Sequence, residues 1–191
     1  MKKILLILIV GLLSACQPMP IAERYYVNSD GTVLDKHTGL IWMRCSIGQS
    51  WDGETCIGEI PMFTWQDAIN FEHHYFAGST GWRLPTVNEI NSLVYCTQGR
   101  QLAEFPYEGD YDVDARGDCL GDNYQRPTIN VIAFPNTGDR YWSSSNAISR
   151  DKWMISFIRG SVGGFYPDST ASVRLVRSTS PTAPPEYSTT L

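Results

Sequence analysis

The element order legible in the sequence is that of a single α+β domain, and three observations set it. Short strand candidates cluster near the N-terminus, two capped helical stretches occupy the middle, and strand candidates return before the C-terminus. The 191 residues are 42% hydrophobic and 12% aromatic, enough for one core and too few for two.

The chain begins outside that domain. Lys2 and Lys3 precede an apolar run from Ile4 to Leu13 that ends in Ser14 and Ala15, just before Cys16. Such a run is too short to cross about 30 Å of hydrocarbon, so residues 1–15 read as an export signal. LSAC resembles the lipobox of bacterial lipoproteins, which implies cleavage before Cys16, diacylglycerol on its sulfur and acylation of its new amine. Several acyl chains at about 0.8 kcal/mol per buried methylene make a durable membrane anchor. Gln17 stands where lipoproteins kept at the inner membrane carry aspartate, so the same resemblance points to the outer membrane of the cell envelope. Residues 16–23 are then a lipidated tether, 24–178 the domain and 179–191 a disordered tail rich in proline and hydroxyls. Losing Lys2 and Lys3 takes the formal charge from −5 to about −7, which argues against nucleic acid as a partner.

Within the domain, RYYVN, TVLD and LIWMR are short strand candidates separated by SDG and KHTG, turn chemistry that predicts a β-meander. Thr64 opens the first helix: TWQD supplies a capping hydroxyl with an acid three residues on, and WQDAINFEHHYF spaces Trp65, Ala68, Ile69 and Phe76 for one buried face. His73 and His74 are adjacent and diverge around that helix, so they cannot share a metal and are expected at the surface. In GWRLPTVNEI, Pro85 presets the backbone, Thr86 caps, and Glu89 stands at the capping-box position, making TVNEINSLVYC a second helix with Ile90, Leu93 and Val94 inward. Arg83, flanked by Trp82 and Leu84, is tolerable there only if Glu89 or backbone carbonyls satisfy its donors; it reads as a structural latch.

Residues 97–126 lack a sustained period and are rich in Gly, Tyr and Asp, the composition of a long functional or solvated loop. Tyr107 and Tyr111 are candidate sugar contacts, and Asp110, Asp112 and Asp114 a candidate calcium site. DYDVD matches the start of an EF-hand loop, but Ala115 occupies the sharp-turn glycine position and no glutamate closes the set. No cofactor is expected to be required beyond that candidate Ca2+. YWSSS, KWMISFIRG and SVRLVRS then read as strands, with SVGG as a hairpin turn rather than a phosphate loop.

With Cys16 assigned to lipid, Cys45, Cys56, Cys96 and Cys119 remain. Four cysteines allow three pairings and the sequence alone does not choose; joining neighbours gives Cys45–Cys56 and Cys96–Cys119, each stabilising by about 3 kcal/mol in the chain-entropy model. No pair has CxxC spacing, so a zinc site is not expected.

The ordered series GLIWMRCSIGQSWDG, TWQDAI, GWRLPTVNEINSLV, PTINVIAFPNT, YWSSS and VRLVRS resembles the Lcl C-terminal domain family over nearly all of residues 25–178. RLPTVNE and VRLVR are also similar to the formylglycine-generating-enzyme-like branch of the C-type-lectin-like superfold. The resemblance implies two helices packed on a small, mainly antiparallel sheet, with close termini and a long irregular loop region. It places Trp82 and Arg83 at the latch heading the second helix and Trp142 in the core of a late strand.

The adhesin that names the family binds sulfated polysaccharides, so the resemblance implies a non-enzymatic surface binding module, a carbohydrate-binding adhesin held by its lipid. Sulfated chains want clustered Lys and Arg, and a mature charge near −7 offers no such stripe. The alternative is an accessory subunit of an envelope or surface assembly whose loops meet a protein partner. No GxSxG or HExxH is present, and an oxidase of the formylglycine-generating type would need reactive cysteines that disulfides here consume, so no catalytic residues are assigned.

Overall fold

The structure, a computed structural model, describes residues 21–102, 116–147 and 149–179. The signal, Cys16, Tyr107, Tyr111, the acids at 110, 112 and 114, and the tail from 180 lie outside the described residues. What is described is an α+β arrangement, mostly strand, with short helices set against several small antiparallel sheets.

Helix α1 (Ile21–Arg24) takes in residues 21–23 of the expected tether. Strands β1 (Tyr25–Val27), β2 (Thr32–Asp35) and β3 (Leu40–Met43) form the expected meander, with Gly31 and Gly39 supplying the left-handed backbone its two turns require. Cross-strand pairing lines up Val27, Val33 and Trp42 on one face, and β11 (Val176–Ser178) adds Val176 beside Trp42. The first and last strands are therefore the two edges of one four-stranded sheet, in the order β1-β2-β3-β11.

A two-residue hairpin, β4 (Ser50–Trp51) and β5 (Cys56–Ile57), follows and is closed by the Cys45–Cys56 disulfide. Helix α2 is only Trp65–Ile69: Thr64 caps it, accepting from the Asp67 N–H at 3.3 Å while its hydroxyl donates to the Asp67 carboxylate at 2.7 Å. The expected continuation through His73 and His74 is corrected. His73 has a φ of +66° and its N–H donates to the Trp82 carbonyl at 2.8 Å, a tertiary bond that takes the backbone out of the helix. Phe71 and Phe76 are still partly buried, in edge contacts with Phe63 and Trp82, so the apolar spacing is spent on an anchored loop. Both histidines are exposed.

Helix α3 (Val87–Asn91) has the full capping box: Thr86 Oγ1 accepts from the Glu89 N–H, and Glu89 accepts from the Thr86 N–H. It stops short of the expected TVNEINSLVYC because Val94 pairs with Ile129 and the Tyr95 N–H donates to the Thr128 carbonyl. Strands β6 (Arg100–Leu102) and β7 (Arg116–Cys119) pair within the region expected to be irregular, beside the Cys96–Cys119 disulfide.

A second sheet runs β10-β9-β8 through β8 (Arg140–Asn146), β9 (Lys152–Ser156) and β10 (Ser161–Phe165). SVGG is thus strand, not turn, which corrects the expectation. The turn lies just before it, where Gly160 adopts φ +81°, and a Cβ there would meet Cys119 Sγ and Val94 at 2.9 Å. SVRLVRS is strand only at its end, because its earlier residues pair one at a time with Ile47, Trp142 and Met43.

Two large apolar clusters fill the space between these layers, with a smaller third of Val87, Ala147 and Trp153. One of the large clusters gathers Val33, Trp42, Phe134, Tyr141 and Ile155; the other gathers Trp82, Leu84, Trp142, Met154 and Leu175.

Candidate functional site

Arg83 is held on both sides. Its backbone exchanges hydrogen bonds with Val176 at 3.0 Å, tying the head of α3 to β11. Its guanidinium donates to the Glu89 carboxylate in a fork at 2.7 and 2.8 Å and to the Leu84 carbonyl at 3.1 Å. Burial pushes the Glu89 carboxyl up, yet the bonds from Arg83 and Thr86 outweigh it and hold the group below the usual carboxylate range. The Glu89 bond in turn raises Arg83. Trp82 is buried beside it with Nε1 donating to the Phe76 carbonyl, and Trp142 donates to the Phe63 carbonyl at 2.7 Å.

Three other arginines are engaged inside the frame, and none of them stood out in the sequence. Arg24 makes a forked pair with buried Asp35 at 2.6 and 2.9 Å. Arg44 lies over the Trp51 ring at 3.9 Å and donates to the Ala133 and Ile132 carbonyls. Arg174 is fully buried and has no carboxylate partner among the described residues; it donates to the carbonyls of Met43 and Arg44 and to Thr137 Oγ1, and it stacks near Phe134 and Tyr141. Burial lowers its basicity. Its one sequence signal was a cation between Val173 and Leu175 in a run apolar on both sides.

Arg140 differs from these. Cross-strand pairing sets Arg140, Ser156 and Ser161 side by side on one face of the second sheet, with Met154 and Gly163 in the next row. Together with Phe165 they line a half-open groove of about 150 Å³. Arg140 is exposed, lies 5.8 Å from the Phe165 ring centroid, and makes no ion pair among the described residues. Gly163 leaves the groove its depth, since a Cβ there would press on the Phe165 ring at 3.1 Å. The arrangement offers an aromatic wall, two hydroxyls and a guanidinium without an ion pair among the described residues, a binding chemistry. Among the described residues no group of three His, Cys, Asp or Glu side chains could hold a metal.

The structure brings Arg83, Glu89 and Trp82 together and closes both expected disulfides. It also places Trp142, a residue of β8, in the core. The Lcl C-terminal domain family model matches residues 31–177. The chain belongs to that family. Among curated proteins none matches it significantly. The matched stretch of this Lcl C-terminal domain contains the latch, both disulfides and the whole groove.

Proposed function

We propose that this Lcl C-terminal domain is a non-enzymatic, carbohydrate-binding module with a C-type-lectin-like frame, anchored to the outer membrane through lipid on Cys16. The observation that carries the reading is the groove of Arg140, Ser156, Ser161 and Phe165. A ring face laid on Phe165 with hydroxyls toward the two serines is the chemistry a sugar offers and an aromatic wall accepts. At about 150 Å³ the groove is smaller than the roughly 300–1,000 Å³ of pockets that enclose a whole small molecule, so it suits one sugar unit of a longer glycan. Tyr107 and Tyr111 are proposed to extend that contact, and Asp110, Asp112 and Asp114 to take calcium; the strands flanking their segment are β6 and β7, and β7 packs near β10.

A glycan array probed with the mature protein tests the reading, read beside Arg140→Ala and Phe165→Ala. Signal lost in both variants supports it. No glycan signal, together with stoichiometric co-purification of a protein, replaces it with the accessory-subunit reading. A melting temperature that is the same with calcium and with chelator removes the metal.

A further inference from the structure

We infer that the face around Val27, Val131 and Ile132 docks on the lipid surface to which the chain is anchored; the inference rests on the lipid anchor at Cys16. Ile132 is 77% exposed, Val131 42% and Val27 41%. Single exposed apolar side chains are ordinary, but these border one group of rings, Tyr25, Trp42 and Phe134. Val27 lies on the sheet face of Trp42 and Tyr25, and Phe134 packs edge-on against both of those rings, at 6.5 and 5.4 Å. The turn bearing Val131 and Ile132 runs directly into Phe134, whose N–H donates to the Asn130 carbonyl.

That turn is rigid for an exposed one. Asn130 Oδ1 accepts from the N–H groups of Ile132 and Ala133 at 3.0 and 2.9 Å. From below, the Arg44 guanidinium donates to the carbonyls of the same two residues, at 2.6 and 3.0 Å. Four bonds thus fix the backbone of a tip on which Ile132 is largely exposed and Val131 partly so, and burying them against a partner costs little further ordering.

The length of chain before the domain says what the partner is. Residues 17–20 separate Cys16 from α1 and span at most roughly 17 Å even when fully extended. The helix leads straight into Tyr25, the residue that touches Phe134. A lipidated Cys16 therefore keeps this face within a short reach of the bilayer, and at the effective concentration a short tether sets, even a weak apolar contact is occupied.

The test uses the lipidated full chain reconstituted in phosphatidylcholine vesicles, with a nitroxide on Val131→Cys or, as control, on Tyr75→Cys. Tyr75 is exposed in the loop after α2, which packs with the second apolar cluster on the other side of the sheet. At 131 the collision ratio of oxygen to a nickel chelate should be several-fold higher than at 75, and Ile132→Asp should return it to the control value. Amide exchange at 131–134 in the unsubstituted protein should slow on vesicles and not in buffer. Water-like collision at both labels on a protein whose Cys16 mass shows the lipid overturns the docking alone. A label at 131 shielded from both quenchers means a protein covers the tip, and also overturns it. A Cys16 without lipid overturns the anchor, and the docking with it.

Discussion

Glu89 serves two structures at once, since one carboxylate closes the capping box of α3 and receives the Arg83 fork. Asp35 is its counterpart on β2: burial pushes its carboxyl up, but the Arg24 bonds prevail and hold it low. A carboxyl whose folded pKa is depressed stabilises the fold above its unfolded value and loses that contribution as pH falls through the folded one. Stability should thus be level from neutral pH to about pH 5 and fall below about pH 4, and Asp35→Asn with Glu89→Gln should flatten that acid limb in urea titrations at stepped pH. Arg174 makes a different prediction. Its donors serve two backbone carbonyls and Thr137, so Arg174→Met strands buried acceptors and should cost about 3 kcal/mol. Arg174→Lys should cost as much, because a point ammonium cannot reproduce the planar fork; urea midpoints followed by circular dichroism read both.

At the scale of elements, the turn at Gly160 joins the second sheet to the Cys96–Cys119 bridge. Gly160→Ala would have to hold a left-handed backbone while its methyl met the Cys119 sulfur, so it should destabilise by about 2 kcal/mol or more. Cys96→Ala with Cys119→Ala should cost about 3 kcal/mol through the loop it opens, and the Gly160 penalty should shrink in that background; a double-mutant cycle by urea unfolding measures the coupling. The same elements show what was legible. Thr64, Thr86 and Glu89 announced both helix starts, because capping is local chemistry. Where the helices stop was not legible, since His73 leaves the first for a carbonyl on Trp82 and Val94 leaves the second for Ile129. Gly163 and Gly164 read as a turn for the same reason: glycine signals freedom locally, while here it is close approach to Phe165 and Ala147 that requires it. The meander was legible because its registers are set by neighbouring turns.

At the scale of the molecule, Arg24, Arg44, Arg83 and Arg174 brace the frame while Arg140 faces outward beside the groove, which predicts that stability and recognition separate by residue. Arg83 was found in the sequence through its apolar neighbours and its capping-box partner, whereas Arg140 was not, because only the pairing of β9 with both β8 and β10 sets it beside Ser156, Ser161 and Phe165. The Arg83 pair is part-exposed, so screening keeps its worth to about 1–2 kcal/mol rather than the several of a buried pair. Arg83→Ala should then lower the melting temperature by roughly 3–6 °C in a domain of this size. Below that temperature its binding per folded molecule should be unchanged. Arg140→Ala, with no ion pair to lose among the described residues, should melt with the unsubstituted protein and lose the glycan signal. Scanning calorimetry and the array, run on both variants, decide it. An Arg83→Ala protein that melts normally yet no longer binds would put recognition at the head of α3, and the groove of the second sheet would lose its claim.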